Sequence, residues 1–262
     1  MFGKQIRMER IIDRNSGHVV VVPLDHGLSM GPIPGLIDMR DTISKISEGG
    51  ATAVLMHKGM VPYGHRTTGK DIGLIIHLSA GTGLGGDPNS KVIVTTVEEA
   101  LTLGADAVSI HINLGADSEP QMIQNAGEIA RKCEQWGMPL LAMVYPRGKN
   151  IKDPFDVDAL KTCARVAAEL GADLVKTSYT GDIDTFREVT RGAQIPVVIA
   201  GGPKMNSDFD MLTMVRDSID AGGKGVSIGR NIFQHKDIVG ITKAVSDIVL
   251  NNASVEDAMK HL

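Results

Sequence analysis

The feature of this 262-residue sequence that most restricts its fold is a regular alternation of short apolar runs with helical patterns. Continuous apolar runs are typical of strands that are buried on both faces of a parallel sheet. Eight strand–helix units in a chain of this length predict an α/β fold, a single (β/α)₈ TIM-barrel domain over 1–262 with a short lead-in at 1–17. The alternative is an open doubly wound sheet, but its G-x-G-x-x-G turn does not follow the first run. The eight runs lie at 18–25, 51–59, 71–79, 106–114, 138–148, 173–178, 195–202 and 224–231.

The connections between the runs contain recurring glycines. Four helical patterns end in similar phrases, at 48–51, 103–106, 170–173 and 220–223, and a glycine there predicts a left-handed helix stop. A ninth short apolar run, at 91–94, is interpreted as a lead into the next helix. Before it, the polar and Gly-rich segment 78–91 fits either a mobile lid or a variable insertion.

The composition excludes several classes of function. A net charge of −4 and 3% aromatic residues argue against nucleic-acid partners and base-stacking surfaces. No apolar stretch approaches the ~20 residues of a membrane span, and the N-terminus lacks the apolar core of a signal peptide. Cys133 and Cys163 fall in helical patterns, where reduced, packed thiols are expected. We therefore expect a soluble, cytoplasmic protein without a nucleic-acid or membrane partner.

Polar and ionisable residues collect at the ends of the predicted strands. In a barrel, these carboxyl ends meet at one face, where active sites lie. Core packing alone does not place ionisable groups at nearly every strand end, so the pattern predicts a site there. The residues are Asp25, His26, His57, Lys58, His77, His111, Tyr145, Pro146, Arg147, Lys176, Gly201, Gly202, Lys204, Gly229 and Arg230.

Three of these residues suggest covalent carbonyl chemistry. A lysine that is partly desolvated and near other cations has a lowered pKa, so Lys176 is a candidate for the amine that forms a Schiff base. Tyr145 can exchange the proton that carbon–carbon cleavage next to a hydroxyl requires, and Asp25 can assist dehydration. The alternatives are a lysine extending to solvent, a tyrosine packed at the rim and a capping aspartate. His26 is interpreted as structural.

Two glycine pairs indicate a phosphate site. Gly201-Gly202 and Gly229-Arg230 follow strands seven and eight, where barrels often bind phosphate through backbone N–H groups. The Arg230 guanidinium can bind a phosphate oxygen pair. Arg147 can bind a phosphate or carboxylate, or form an ion pair at the rim.

Three strand-end histidines raise the question of a metal. His57, His77 and His111 lack the spacing of known metal motifs, so we expect them to bind substrate oxygens or to pack as neutral rings, with no metal bound. Metal-dependent chemistry remains an alternative. His26, Lys58 and Lys204 are secondary candidates for the site.

The strand-end strings together resemble the archaeal-type class I aldolases, in order and over nearly the whole chain. They are VPLDHG, LMHKG, MVYPRG, VKTSYTGD, VIAGGPK and SIGRNIFQH. The resemblance implies that Lys176 is the Schiff-base lysine, Tyr145 the proton donor and Asp25 the proton acceptor. It also implies that 145–147, Gly201-Gly202 and Gly229-Arg230 bind a phosphorylated keto sugar. No metal or organic cofactor is implied, and family members are typically ring-based homo-oligomers, often decamers.

Longer strings, ATAVLMHKGMV and EQWGMPLLAMVYPRG, are most similar to one branch of this family. That branch cleaves 6-deoxy-5-ketofructose 1-phosphate, releases hydroxypyruvaldehyde phosphate and joins the retained enamine to L-aspartate semialdehyde. The resemblance thus implies a transaldol reaction in the alternative route to 3-dehydroquinate and aromatic amino acids. A class I fructose-bisphosphate aldolase using the same three catalytic residues is the main alternative, and a non-catalytic phosphosugar-binding barrel is another.

Overall fold

A computed structural model describes residues 2–64 and 72–262 of the chain. It contains ten strands: β1 (Val19–Pro23), β2 (Ala53–Met56), β3 (Gly73–His77), β4 (Ser79–Ala80), β5 (Val92–Ile93), β6 (Ala107–Leu114), β7 (Leu140–Pro146), β8 (Leu174–Thr177), β9 (Val197–Ala200) and β10 (Gly225–Ser227). Eight of them close into a parallel barrel in the order β1-β10-β9-β8-β7-β6-β3-β2. Each predicted apolar run contributes one barrel strand, so the predicted fold is confirmed. Asp71, the first residue of the third run, lies outside the described residues.

Long helices cover the outside of the barrel, while some short helices lie at its ends. They are α1 (Phe2–Met8), α2 (Gly27–Met30), α3 (Met39–Glu48), α4 (Val61–Gly64), α5 (Val97–Thr102), α6 (Glu119–Trp136), α7 (Val157–Glu169), α8 (Ile183–Ala193), α9 (Asp208–Asp220), α10 (Arg230–Phe233), α11 (Ile238–Asn251) and α12 (Val255–Ala258), with 3₁₀ turns at Lys58–Met60 and Met259–His261. The longer helices begin at Asp, Ser or Thr caps, as at Asp182, whose side chain accepts the Thr185 N–H. No helix in the described ranges is long and apolar enough to cross a membrane.

The core has two parts, one inside the barrel and one between the strands and the helices. Successive β1 residues alternate between them: Val19 and Val21 pack in the interior, whereas Val20 and Val22 pack under the helices. Ile11 of the lead-in is 1% exposed and packs with the interior cluster. Both cysteines are buried and free.

The ninth apolar run does not enter the barrel. β5 pairs with β4 in a two-stranded antiparallel ribbon, in which Ser79 lies opposite Ile93 and Ala80 opposite Val92. The Gly-rich segment 78–91 is therefore closed at its base by this ribbon. The helix α5 begins only after it, at Val97.

The repeated Leu-Gly-Ala-Asp phrases have a second role besides the helix stop. Gly104 and Gly171 have the predicted positive φ, of 76° and 91°. The aspartate that follows each glycine then accepts a backbone N–H from the start of the preceding strand: Asp106 from Leu74 and Asp173 from Leu140, both at 2.9 Å.

The same two carboxylates attach the lead-in to the barrel. Arg10 Nε donates to Asp106 at 2.7 Å, and Lys4 Nζ donates to Asp173 at 3.1 Å. Each aspartate thus joins a strand start and the lead-in at the end of the barrel away from the strand carboxyl ends. We refer to these two residues as the aspartate anchors.

We expect Asp173→Ala to lower the free energy of unfolding by about 1–3 kcal/mol, because the Leu140 N–H loses its acceptor inside the fold. Asp173→Asn retains an acceptor oxygen and should lose less. Urea unfolding measures both changes. The control is Asp158→Ala, whose side chain is 86% exposed. An Asp173→Ala variant as stable as the control would contradict this role.

Candidate active site

A cavity of about 350 Å³ opens at the carboxyl ends of the barrel strands. Most of the residues predicted from the strand ends line it, because the closed barrel brings ends that are distant in sequence to one face. They are Asp25, His26, His57, His77, His111, Tyr145, Arg147, Lys176, Gly201, Gly202, Gly229 and Arg230.

Lys176 lies in β8, between Met143 of β7 and Val198 of β9, and is 7% exposed. Burial lowers its pKa to about 8; Arg147 and Arg230 act in the same direction, and Asp25 opposes them. The ammonium makes no hydrogen bond or ion pair with the residues that the structure describes. The uncharged form, which attacks a carbonyl carbon, is therefore far more populated near neutral pH than it is for an ordinary lysine, although the charged form still predominates.

Asp25 follows β1 and faces this lysine among imidazole rings. Its carboxylate lies 3.5 Å from His26 Nδ1 and 4.0 Å from His77 Nε2. Burial raises the pKa of Asp25, but His77, His26 and Lys176 together lower it to about 2. The group is thus ionised at neutral pH and available as a proton acceptor.

The cavity histidines are held as neutral rings. His77 is 3% exposed, its Nδ1 lies 2.7 Å from Ser109 Oγ, and its ring packs edge-on against His57. Burial lowers the pKa of His77 to about 4, and it also lowers the pKa values of His57 and His111. Within residues 2–64 and 72–262, no group of three or more His, Cys, Asp and Glu side chains could hold a metal ion.

Tyr145 lies in β7 and is 7% exposed. The Arg147 guanidinium stacks over its ring, with 4.6 Å from Cζ to the ring centre, and His111 packs edge-on at 5.2 Å. Burial raises the pKa of Tyr145 well above its ordinary value, although Arg147 opposes the shift. The phenol therefore stays protonated and can donate its proton to an oxygen that gains negative charge.

The predicted phosphate site forms a compact pair of loops after β9 and β10. A Cβ at Gly201 would lie 2.6 Å from the Ile228 side chain, and one at Gly229 would lie 2.7 Å from the His26 ring, so neither position has room for a side chain. Arg230 Nη2 donates to the Gly202 carbonyl at 2.9 Å and joins the two loops. Backbone and guanidinium donors are thus held close together, as phosphate binding requires.

Asn231, at the start of α10, joins the same two loops through hydrogen bonds, a role that the sequence did not reveal. Its Nδ2 donates to the carbonyls of Gly201, at 2.9 Å, and Pro203, at 3.1 Å, while its Oδ1 accepts the Met205 N–H at 2.6 Å. Three hydrogen bonds from one buried amide fix the loop after β9 against the start of α10.

Three candidates do not line the cavity. Pro146 is buried at the end of β7, outside the cavity wall. Lys58 donates to Glu99 at 2.8 Å and to the Val94 carbonyl at 2.9 Å, and Lys204 donates to the Gln234 carbonyl at 2.6 Å. This placement does not support the expectation that these two lysines bind substrate, because neither side chain lines the cavity.

The segment 78–91 forms part of the cavity wall. Thr82, Gly83, Pro88 and Lys91 line the cavity, and the Gly83 N–H donates to the Ser29 carbonyl at 3.1 Å. The segment is therefore part of the site instead of a peripheral insertion. Lys91 was missed from the sequence because it does not end a barrel strand; its only signal was its place in this Gly-rich stretch.

Comparison with known proteins places the chain among aldolases. A model of the DeoC/LacD aldolase family matches residues 19–235. The 2-amino-3,7-dideoxy-D-threo-hept-6-ulosonate synthase 1 of Archaeoglobus fulgidus is 43% identical, over 100% of this chain and 96% of that protein. The 2-amino-4,5-dihydroxy-6-oxo-7-(phosphonooxy)heptanoate synthase of Streptomyces griseus is 36% identical, over 97% and 92%.

A solved structure is also similar. An archaeal fructose-1,6-bisphosphate aldolase, determined with its catalytic lysine covalently bound to the carbinolamine intermediate, has a TM-score of 0.87 and is 29% identical. The match covers 94% of this chain and 99% of that one. Together these matches confirm the aldolase resemblance of the strand-end motifs.

We expect Lys176→Met to raise the free energy of unfolding at pH 7 by about 1–3 kcal/mol, because the folded wild type must hold a buried charge. The folded pKa, about 8, lies below the ordinary 10.5, so this cost is relieved as the pH rises from 8 to 10.5. The difference between variant and wild type should therefore shrink over that window in urea unfolding. A difference that does not change with pH there would contradict a lowered pKa.

Proposed function

The chain belongs to the DeoC/LacD family of aldolases, and we propose that it is a transaldolase-like synthase that works through a Schiff base on Lys176. Its substrates would be 6-deoxy-5-ketofructose 1-phosphate and L-aspartate semialdehyde, and its product 2-amino-3,7-dideoxy-D-threo-hept-6-ulosonate. The observation that carries this proposal is the buried Lys176 amine, with its lowered pKa, in one cavity with Asp25 and Tyr145. The relative from A. fulgidus is named as a synthase of the same product, which supports this reaction.

The reaction begins with imine formation. The neutral Lys176 amine attacks the C5 ketone of the sugar and gives a carbinolamine. Loss of water from this adduct gives the imine, and Asp25, ionised and close to Lys176, accepts and returns the proton. A lysine adduct of this kind has been captured in the similar archaeal fructose-1,6-bisphosphate aldolase.

Carbon–carbon cleavage follows. The C3 hydroxyl passes its proton to Tyr145 as the phenol passes its own proton to the ionised Asp25. The C3–C4 bond then breaks, its electrons move into the imine, and hydroxypyruvaldehyde phosphate leaves. The retained enamine then attacks the aldehyde carbon of aspartate semialdehyde, and Tyr145 donates a proton to the new alkoxide. Water hydrolyses the final imine and releases the product. Because the imine accepts the electrons, the sequence of steps needs no metal or organic cofactor.

The substrates carry anionic ends that the cavity can bind. Arg147 supplies a cationic donor for the single phosphate of the keto sugar and for the carboxylate of the semialdehyde, and Arg230 with the backbone around Gly202 and Gly229 supplies donors for further substrate oxygens. His57 and His111 are neutral and can hydrogen-bond substrate hydroxyls. This donor set suits a phosphorylated keto sugar together with a small aldehyde.

We further propose that the enzyme is cytoplasmic and that its reaction belongs to aromatic amino acid biosynthesis. We also propose a ring-based homo-oligomer, for which the exposed apolar residues Phe2 (84%) and Ile6 (64%) of α1 offer one contact surface.

Fructose-bisphosphate aldolase activity is the second candidate, favoured by the similar solved structure. The two reactions use the same lysine and differ in substrate. Incubation with fructose 1,6-bisphosphate alone, and with the deoxyketo sugar phosphate plus aspartate semialdehyde, separates them: the synthase forms a seven-carbon amino acid only in the second mixture.

We expect borohydride to trap the deoxyketo sugar phosphate on Lys176, because it reduces the imine to a stable secondary amine. Peptide mass mapping identifies the labelled residue. Lys176→Met should fold but show neither label nor turnover, while Lys149→Met should behave as the wild type. A label on another lysine, or a non-catalytic barrel that takes no label, would contradict the proposal.

We expect Tyr145→Phe to slow cleavage of the C3–C4 bond far more than imine formation, because only the former moves a proton at the sugar hydroxyl. A loss of roughly 10²–10⁴-fold is usual for a general acid or base. Single-turnover trapping reports imine formation, and release of hydroxypyruvaldehyde phosphate reports cleavage. Equal loss of both steps would instead assign Tyr145 a structural role.

A further inference from the structure

Two cationic side chains line the cavity on the side away from the Gly201-Gly202 and Gly229-Arg230 loops. Arg147 follows β7, and Lys91 ends the segment 78–91, which connects β3 to β6. In the closed barrel, β3 and β6 lie across from β9 and β10. Lys91 therefore enters the cavity from the wall opposite the two glycine loops.

The Lys91 side chain is half-buried and makes few contacts of its own. Its Nζ donates to the Pro88 carbonyl at 2.7 Å, and it lies where a Cβ on Gly81 would be only 2.8 Å away. Within the described part of the chain it makes no ion pair. Burial lowers the pKa of Lys91, Arg147 lowers it further, and Asp87 opposes them. Two like charges in one cavity favour an anion, which relieves their repulsion.

The position of Tyr145 indicates which part of a substrate reaches this pair. In the proposed function, on which this inference rests, Tyr145 exchanges a proton with the aldehyde oxygen. The Arg147 guanidinium lies directly over the Tyr145 ring, 4.6 Å from its centre. An aldehyde whose oxygen meets Tyr145 can therefore extend its arm toward Arg147 and, in the same cavity, Lys91.

The chemistry brings two different aldehydes to the same place. The leaving aldehyde ends in a phosphate, the entering one ends in a carboxylate, and both bond to the same enamine carbon. Because the fragment that contains this carbon stays bound to Lys176 through the neighbouring carbon, the two arms occupy one side of the cavity in succession.

We propose that Lys91 and Arg147 form an anion subsite for the aldehyde arm, which binds the phosphate of the leaving aldehyde and then the carboxylate of the entering one. The subsite exchanges one aldehyde for the other while the retained enamine stays in place. Lys91 is thus a specificity-determining residue, which selects aldehydes that carry an anionic group.

The test compares Lys91→Met, Lys91→Arg and the control Lys149→Met, which removes a lysine that is 72% exposed and paired with Asp117. Two acceptors, aspartate semialdehyde and uncharged butanal, are tested with hydroxyacetone as the donor, and cleavage of the deoxyketo sugar phosphate is measured separately. Lys91→Met should lower kcat/KM for aspartate semialdehyde and for the sugar phosphate by roughly 10- to 100-fold, mainly through KM. For butanal, the kcat/KM of Lys91→Met should equal that of the wild type. Lys91→Arg should recover most of the lost kcat/KM for the anionic substrates, and the control variant should lose none.

Hydroxyacetone separates failure of the subsite from failure of the proposed function. It has no anionic arm, so borohydride should fix it on Lys176 equally in the wild type and in Lys91→Met. If the wild type is labelled but Lys91→Met loses butanal and aspartate semialdehyde equally, or loses only one of the two anionic substrates, the shared subsite is wrong while the Schiff base stands. An unlabelled wild type would overturn the proposed function and the subsite with it.

Discussion

The proposed chemistry of this protein depends on one unfavourable arrangement, a lysine ammonium that is buried at the end of a barrel strand without a hydrogen-bond partner in the described structure. Burial lowers the pKa of Lys176 to about 8, and water cannot restore the ordinary value because the side chain is almost fully enclosed. The strands on either side hold the amine in place through backbone pairing, so its position does not depend on a salt bridge that would keep it charged. The fold thus maintains a reactive, partly neutral amine at a cost in stability.

In the proposed reaction, the groups around Lys176 supply the acid and the base. Asp25 stays ionised because its cationic and imidazole neighbours outweigh its burial, whereas Tyr145 stays protonated because burial dominates. A carboxylate base and a phenol acid therefore lie in one cavity at the same pH, as acid–base chemistry at a single carbon requires. The neutral histidines add hydrogen-bonding groups without adding charge.

The fold and the central residues could be predicted because both follow from local pattern. Eight apolar runs determine the number of strands, and barrel closure then gathers their ends, which is why Lys176, Tyr145 and Asp25 were found together. Lys58 shows the limit of the same rule. β2 ends at Met56, His57 lines the cavity, and Lys58 begins a 3₁₀ turn that directs it to Glu99. The roles of Asn231 and the aspartate anchors were missed because their partners are distant in sequence, and Lys91 was missed because it does not end a barrel strand.

The aspartate anchors lie at the opposite end of the barrel from Lys176. There, Asp106 and Asp173 join the strand starts to the lead-in through Arg10 and Lys4. The stabilising contacts of the aspartate anchors and the candidate active site consequently lie at opposite ends of the barrel. In proteins that share this architecture, mutations in the loops at the strand carboxyl ends can change the substrate preference. The strand starts and the aspartate anchors are not affected by such mutations. Such a division helps to explain how synthases with differently substituted products can descend from a common ancestor.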